Sequence, residues 1–300
     1  MGSFIAGDWG TSHLRLTLCD ADGHALETET GPGVSTLGGK LAETFETLTR
    51  RWDATLPVML CGMAGSTLGW REVPYLPCPA DPRRIASGAV RFEASGRRIA
   101  IAPGLSCNNV LGAPDVMRGE ETQILGTLRA RPSFAEGAHL LCLPGTHTKW
   151  AVLKSGRIET FVTGVSGELY DILARHSVLA GKQADAPHSA DAFDKGIAQP
   201  EASLIHLLFQ TRSRQLAGDI RPDEAASFLS GLVIGQDVSG ALKLFPQDKP
   251  VILIGAPHLT TLYAAALRAH DVTSEIIDGA QASLSGLTAL HDALELAHAS

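Results

Sequence analysis

The sequence lacks the features of several protein classes. No apolar run among its 300 residues approaches the length of a membrane-spanning helix, so no membrane partner is predicted. No basic run offsets the formal net charge of −7, which argues against nucleic acid as a partner. The start, Met1-Gly2-Ser3-Phe4, lacks the basic and apolar regions of a signal peptide, so we expect a cytoplasmic protein.

The sequence also gives no support for a disulfide framework, for a metal site built from cysteine or histidine, or for a serine or cysteine nucleophile. The five cysteines are scattered and odd in number, and no two of them form a Cys-x-x-Cys pair. This pattern is typical of reduced thiols and argues against a disulfide framework or a zinc site. The 11 histidines form no metal-ligand pattern, and no serine or cysteine is arranged with histidine as a catalytic nucleophile.

What the sequence does contain is one strand–loop–strand unit that occurs twice. In each copy an apolar strand leads into a glycine-threonine loop, a second strand, a glycine turn and a third extended segment. The duplication predicts two similar domains that face each other and grip a phosphate chain between the two loops. The two copies begin Phe4-Ile5-Ala6-Gly7-Asp8-Trp9-Gly10-Thr11-Ser12 and Leu140-Leu141-Cys142-Leu143-Pro144-Gly145-Thr146-His147-Thr148.

Strands alternate with helices over the rest of the chain, which favours the α/β class. The loop-rich stretch 106–114 is the predicted boundary between a first domain, 1–112, and a second, 113–300, whose last helix can pack back on the first. In the first half we expect strands at 3–8, 13–19, 24–30, 57–61 and 98–102 and a helix at 40–52. In the second we expect helices at 117–129, 167–179, 190–196, 204–216, 223–244 and 259–269, with strands at 251–254 and 272–277.

The first loop has the residue types of a phosphate-binding turn. Gly10 lets backbone N–H groups approach phosphate oxygens, and Thr11 and Ser12 add hydroxyl donors. Asp8, at the end of the strand, is placed to hold Mg²⁺ through water. The same residues also fit a tight turn with Gly10 at positive φ and Asp8 as a cap.

The second loop strengthens the phosphate interpretation. Gly145 and Thr146 stand in the same relation to their strands as Gly10 and Thr11, so two apposed loops can cradle a triphosphate. Pro144 replaces the carboxylate of the first loop, and no metal is assigned here. His147 fits either a phosphate contact or a structural hydrogen bond.

Two further motifs complete the pattern. Glu120 and Glu121 open a predicted helix, where a carboxylate can accept the proton of an attacking hydroxyl. Glu120 directly follows a glycine and is preferred, with Glu121 in reserve, although the helix dipole alone also favours acids at this place. After a buried strand, Gly255-Ala256 lets a flat base lie against the backbone, and it equally fits an ordinary strand-to-helix turn.

The order of these four motifs resembles the sugar-kinase branch of the actin–hexokinase–chaperone superfamily. Within it the chain is similar, nearly end to end, to the 2-dehydro-3-deoxygalactonokinase family. The resemblance implies an α/β protein of two ribonuclease-H-like domains with a cleft between them, the actin-like ATPase fold. It rests on residues 8–12, 62–66, 69–70, 116–123, 144–150, 163–164, 167–169 and 228–232.

The resemblance also implies the reaction: ATP, with Mg²⁺, phosphorylates the 6-hydroxyl of 2-dehydro-3-deoxy-D-galactonate in galactonate catabolism. Larger relatives such as glycerol kinase have a catalytic aspartate where this chain has Glu120. For the substrate carboxylate we expect either Arg118 or the donors of Ala64, Gly65 and Ser66. Trp70 would pack on the carbon chain, and Glu168 would accept sugar hydroxyls.

The sequence also allows other roles for these residues and other functions for the protein. Arg118 also fits a pair with a neighbouring acid, and Trp70 also fits the core. Another sugar acid or sugar is an alternative substrate, and a nucleotide-hydrolysing switch of the same fold is an alternative function. The oligomeric state is open, with a homodimer as one option.

Overall fold

The computed structural model describes residues 2–180, 184–199 and 202–299. Within these ranges the strands are β1 (Phe4–Trp9), β2 (His13–Cys19), β3 (Ala25–Pro32), β4 (Val58–Gly62), β5 (Leu76–Pro77), β6 (Val90–Ala94), β7 (Arg97–Ile101), β8 (Leu105–Asn108), β9 (Pro114–Met117), β10 (Ala138–Leu143), β11 (Thr148–Lys154), β12 (Arg157–Gly164), β13 (Val251–Gly255) and β14 (Ser274–Asp278). The helices are α1 (Leu41–Thr49), α2 (Pro82–Ser87), α3 (Glu120–Ala130), α4 (Ser166–His176), α5 (Ala190–Ile197), α6 (Leu204–Leu208), α7 (Gln210–Ala217), α8 (Ala225–Leu244), α9 (Pro257–Arg268) and α10 (Gly279–Ala299).

Two sheets repeat the same strand order. The first is β3-β2-β1-β4-β7-β6 and the second is β12-β11-β10-β13-β14. In the first, β1 is antiparallel to β2 and parallel to β4, and β10 is likewise parallel to β13 in the second. Apart from the added edge strand β6, each sheet therefore arranges its own strands as 3-2-1-4-5, and this repeat matches the duplicated unit in the sequence.

The central strands are apolar because both of their faces are covered. All five residues of β4 and all five of β13 are buried. Parallel strands buried on both faces have continuous apolar sequences rather than alternating ones. The neighbouring strands β1 and β10 are also buried where they lead into their loops, in five of six residues of β1 and in the last four of β10, so each loop begins at the end of a core strand.

The chain forms two compact units. Unit 1 comprises residues 1–138, 151–161 and 277–300, and unit 2 comprises residues 139–150 and 162–276. The last helix, α10, belongs to unit 1, where its backbone meets α3 at two glycines. A Cβ added to Gly126 or Gly286 would lie within 2 Å of a carbonyl oxygen on the other helix (1.8 and 1.9 Å). The domain boundary between residues 112 and 113 stays a prediction.

Helix α8 forms the core of unit 2. Together with the preceding turn, residues 222–244 are the one segment of the described chain long and apolar enough to cross a membrane, and 67% of its most apolar window is buried. Glycines let α8 and α5 touch, since a Cβ on Gly231 would lie 2.0 Å from the Phe193 carbonyl oxygen. This burial is typical of the core helix of a globular unit.

Three local predictions differ from the structure. The stretch 106–114 contains much of a hairpin, β8 and β9, because Asn109 Oδ1 accepts the backbone N–H groups of Leu111 and Ala113 and closes the turn. The predicted helix 204–216 is two helices, α6 and α7, that meet at Phe209. The third difference is that the short elements β5, α2 and β6 were not predicted.

Candidate active site

Asp8 lies at the end of β1 in unit 1, where the sequence predicts a metal-binding carboxylate. Its side chain is half-buried, and its Oδ2 accepts a hydrogen bond of 2.8 Å from Ser283 Oγ on α10. Carboxylate oxygen is a ligand that Mg²⁺ prefers, and one carboxylate completed by water and phosphate is a common arrangement. The residues present therefore fit the predicted ion.

The loop after β1 is fixed by its backbone. Gly10 N–H donates to the His13 carbonyl, and the carbonyl of Gly10 accepts from Val34 N–H. The side chains of Thr11 and Ser12 are exposed, so their hydroxyls are accessible to a ligand. The φ angle of Gly10 is not positive. The alternative interpretation, a tight turn with Gly10 at positive φ, is therefore wrong in that respect.

Two strained glycines bring the end of β4 to the start of α3. Gly62 has φ +75° and Gly119 has φ +110°, values that side-chain-bearing residues rarely adopt. A Cβ on Gly119 would lie 3.4 Å from the Gly62 Cα, and a Cβ on Gly62 would lie 2.8 Å from the Trp9 carbonyl oxygen. The N-terminus of α3, with its two acids, is thereby held beside the strand ends of unit 1.

The two acids at the start of α3 have different environments. Glu120 is half-buried, and its Oε2 accepts a 3.0 Å hydrogen bond from Arg118 N–H. Glu121 is fully buried, and its Oε2 accepts a 2.7 Å bond from Gly119 N–H. Burial, with a smaller contribution from the charge of Glu120, raises the pKa of Glu121 to about 8. Of the two acids, Glu120 is the one with exposed surface, and its role as the base stays a prediction.

Arg118 offers an anion-binding group in the same turn. Its Nη2 donates to the Val73 carbonyl at 2.8 Å, and its guanidinium carbon lies 4.3 Å from the centre of the Tyr75 ring. Its Nε and Nη1 are buried and have no hydrogen-bond partner among the described residues. Gly65 lies against it, since a Cβ there would be 2.7 Å from Nη1.

The remaining predicted substrate contacts of unit 1 have structural roles. Ala64 and Gly65 are buried in a 3₁₀ turn, and Ser66 Oγ donates to the Met63 carbonyl at 2.8 Å. The Trp70 ring packs against three aromatic rings, those of Trp9, Phe45 and Phe92. Their contact with a substrate stays a prediction.

Gly145 and Thr146 border a cavity of 540 Å³ in unit 2. Its walls come from the starts of α4 and α9, from α8 and from residues 186–188. Gly167 approaches the loop closely, because a Cβ there would lie 2.3 Å from the Gly145 carbonyl oxygen. The cavity is large enough for a drug-sized ligand. Its polar lining includes Ser166, Tyr170, His188, Ser227, Ser230 and His258.

His147 and Glu168, predicted separately to contact phosphate and sugar, form a pair in unit 2. His147 Nε2 lies 2.7 Å from Glu168 Oε2, and about half of each side chain is exposed. The Glu168 N–H also donates to the Thr146 carbonyl at 2.9 Å. The pair therefore belongs to the second loop, and both predicted ligand contacts stay predictions.

A hydroxyl network behind the second loop was not predicted. The hydroxyl groups of Thr148, Ser166 and Tyr263 lie 2.8–3.0 Å from one another and are buried. Tyr263 OH donates to Asp237 Oδ2 at 2.6 Å, and Trp150 Nε1 donates to Oδ1 at 3.1 Å. Desolvation raises the pKa of Asp237. The network connects the strand after the loop to α4, α8 and α9.

The predicted adenosine loop lies next to the same cavity without lining it. Gly255 is buried, and a Cβ there would lie 3.4 Å from the Pro144 carbonyl oxygen of the second loop. Ala256 is exposed and precedes α9, whose first turns supply His258, Leu259, Leu262 and Tyr263 to the cavity wall. A nucleoside contact at Gly255 and Ala256 stays a prediction.

Comparisons with known proteins decide the family. The family model of 2-keto-3-deoxy-galactonokinases matches residues 8–290. The chain belongs to this family. It is 37% identical to a probable 2-dehydro-3-deoxygalactonokinase of Rhizobium meliloti (strain 1021), over 96% of each chain. It is 33% identical to the 2-dehydro-3-deoxygalactonokinase of Escherichia coli (strain K12), over 97% of this chain and 98% of that one.

Solved structures agree with membership in the 2-keto-3-deoxy-galactonokinase family. A crystal structure from Sinorhizobium meliloti, assigned provisionally as a 2-dehydro-3-deoxygalactonokinase, has a TM-score of 0.86 at 36% identity, over 97% of this chain and 99% of that one. The activator of 2-hydroxyisocaproyl-CoA dehydratase from Clostridium difficile, solved with bound ADPNP, shares the fold at a TM-score of 0.54 and 13% identity, over 99% and 98%. The predicted family, the actin-like ATPase fold of α/β class and the assignment as an ATP-using sugar kinase are confirmed.

Proposed function

We propose that this protein transfers the γ-phosphoryl group of ATP to the 6-hydroxyl of 2-dehydro-3-deoxy-D-galactonate. The bond between the 6-oxygen and the γ-phosphorus forms, the bond between that phosphorus and the β,γ-bridging oxygen breaks, and ADP leaves. The hydroxyl proton passes to a carboxylate. The observation that carries the substrate class is the unpaired, buried guanidinium edge of Arg118 two residues from the half-buried Glu120.

An anionic acceptor suits Arg118. A buried donor without a partner costs about 1–3 kcal/mol, and a carboxylate that accepts from Nε or Nη1 would remove that cost. Val73 and Tyr75 hold the guanidinium in place from the other side, so little side-chain entropy is lost on binding. A neutral sugar would leave the donors less well satisfied, which favours a sugar acid over a sugar.

Glu120 is proposed as the general base and Asp8 as the ligand of Mg²⁺. Glu120 is accessible, while Glu121 has no exposed surface and an elevated pKa, which favours its protonated form at neutral pH. When bound, Mg²⁺ neutralises charge on the transferred phosphoryl group, and Asp8 would hold it. Glu120 and Asp8 both lie in unit 1, at the ends of elements that the backbone contacts of Gly62 and Gly119 keep together.

The loops are proposed to position the triphosphate. Exposed hydroxyls of Thr11 and Ser12 and the N–H groups around Gly145 and Thr146 are donors of the kind that phosphate oxygens accept. The cavity beside Gly145 would take the nucleoside. That both loops grip one ATP molecule, that the reaction is cytoplasmic, and that a homodimer forms all remain predictions.

A coupled ADP-release assay over a panel of acceptors tests the proposal. The panel contains 2-keto-3-deoxy acids of galacto and gluco configuration, the corresponding neutral sugars, and a reaction without acceptor. We expect the highest kcat/KM with the galacto acid and at least a 100-fold lower value with neutral sugars, roughly the loss of one charge-assisted hydrogen bond in a desolvated site. Equal ADP release without any acceptor would establish the nucleotide-hydrolysing alternative instead.

A further inference from the structure

Besides the cavity of unit 2, the structure has a cavity in unit 1 that is lined by none of the residues assigned to the proposed reaction. It has a volume of 280 Å³ and lies between the first sheet and the C-terminal half of α10. Strands β4, β6 and β7 supply one wall, and His291, Leu294 and Glu295 supply the other. Its size exceeds that of a cavity of about 150 Å³ that accommodates benzene. A molecule of one ring with a substituent would therefore fit.

His291 is the polar group that points to a ligand. Only 6% of its surface is exposed, and its ring stacks on Phe4 with a centroid separation of 4.1 Å. Neither ring nitrogen has a hydrogen-bond partner among the described residues, and the nearest carboxylate oxygen, Asp292 Oδ1, is 3.8 Å from Nδ1. Two unsatisfied nitrogens on one buried imidazole are costly, and a ligand hydroxyl would satisfy one of them.

The rest of the lining favours a neutral and mainly apolar molecule. Two arginines and two glutamates border the cavity, Arg91, Arg98, Glu93 and Glu295, so neither an anion nor a cation is preferred by net charge. The apolar side chains on the sheet face towards α10 are those of Pro57, Met59 and Ala100, and Leu294 opposes them from the helix. Val58, Phe92 and Ile99 pair with one another across the strands and direct their side chains to the core on the opposite face of the sheet, so they border the cavity through their backbone. Apolar side chains around one buried polar group, with the charged groups exposed or half-exposed at the rim, are typical of a small-molecule site.

We propose that this cavity binds a small neutral aromatic alcohol, of the phenol class, whose hydroxyl hydrogen-bonds with a ring nitrogen of His291. A hydroxyl can donate to the unprotonated nitrogen or accept from the protonated one, so it suits either tautomer of a neutral imidazole. The aromatic ring packs against Met59 and Ala100 on the sheet and against Leu294 on α10. This site is separate from the residues assigned to phosphoryl transfer.

Matched ligands and variants test the proposal without using kinase activity. Phenol and toluene have the same shape, and only phenol can hydrogen-bond through its substituent. Calorimetric titration of each into the wild-type protein and into His291→Phe, which keeps an aromatic ring to stack on Phe4, isolates that hydrogen bond. We expect His291→Phe to weaken phenol binding about fivefold more than toluene binding.

A cavity-filling variant checks the location. Ala100→Met places a longer side chain in the cavity and should abolish the binding of both ligands, and Leu294→Phe fills it from the helix side if the first variant does not fold. Binding of neither ligand to the wild type would overturn the proposal. So would equal losses for phenol and toluene in His291→Phe, or unchanged binding in a folded cavity-filling variant.

Discussion

The two units share a strand order but use their carboxylates in opposite ways. In unit 1, Asp8 ends the first core strand, and Ser283 is the hydroxyl that donates to it. In unit 2 the matching place, two residues before the loop glycine, is taken by Leu143 and not by Pro144, and Asp237 accepts from both Tyr263 and Trp150. The comparison indicates that the two units kept the same sheet while the two loops diverged: one follows a strand that ends with a half-buried acid, and the other is supported from behind by buried hydroxyl groups.

The largest effect should come from removing Asp8, the acid that has no counterpart at the matching position of unit 2. Asp8→Ala deletes the proposed Mg²⁺ ligand, so Mg-ATP-dependent turnover should fall to the background of the coupled assay while the circular dichroism spectrum stays that of the wild type. Asp22→Ala, which removes an exposed acid in the same unit, is the control and should leave kcat unchanged. Unchanged turnover in Asp8→Ala would remove the metal role.

The next largest effect is expected at the start of α3. Glu120→Gln should lower kcat by about 10²–10⁴, the usual contribution of a general base, with little change in KM for ATP. Stopped-flow or steady-state rates at saturating substrate measure the loss. A full rate in this variant would contradict the assignment.

Glu121→Gln is the matched control for Glu120→Gln. It should cost less than about tenfold in kcat, because a carboxyl with a pKa of about 8 is mostly protonated at neutral pH and glutamine is also neutral. The raised pKa also affects stability: the wild type binds this proton in the folded state, so it should lose stability relative to the variant as the pH rises from about 4.5 to about 8. Denaturant unfolding at several pH values measures that difference, and a larger kcat loss than in Glu120→Gln would exchange the two roles.

Sequence reasoning found the strand–loop units because their signal is local. A buried strand followed by Gly-Thr is visible in a dozen residues, and the order of the motifs along the chain led to the family resemblance. The pairing of His147 with Glu168 was not visible, since 20 residues of intervening chain carry no mark of the contact. Similarly, nothing in the sequence shows that the Arg118 guanidinium lies over the Tyr75 ring and not against a neighbouring acid, which was the alternative interpretation.

One residue of the hydroxyl network in unit 2, Asp237, could have been recognised from the sequence. Asp237 lies well inside α8, a helix that is otherwise apolar or small over most of its length. A charge in a core helix requires partners, so a donor from another element could have been expected. Which donors meet it depends on how α9 and β11 pack, and that follows from tertiary structure rather than from local pattern.

A moderate effect is expected from a substitution that weakens the hydroxyl network behind the second loop. Tyr263→Phe removes the hydroxyl shared by Asp237, Thr148 and Ser166, so the free energy of unfolding should fall by about 1–3 kcal/mol. KM for ATP should rise as the loop loses its support, with a smaller change in kcat. Tyr75→Phe, which keeps the ring on Arg118 and removes an exposed hydroxyl, should change stability by less than about 0.5 kcal/mol. Equal stability losses in the two variants would contradict the bracing role.

The smallest effect should arise at the exposed pair of the second loop. His147 and Glu168 are about half exposed, and even a fully charged pair in such a position would be worth at most about 1 kcal/mol. His147→Ala should therefore raise KM for ATP by about two- to fivefold at low salt if the imidazole contacts phosphate. The rise should shrink as the ionic strength increases, because salt screens exposed charges. His176→Ala, at an exposed position near the end of α4, should leave KM unchanged at every salt concentration. A KM for ATP that does not respond to His147→Ala would assign this histidine to loop structure alone, and the contrast between the two loops would then rest on Asp8 and the hydroxyl network.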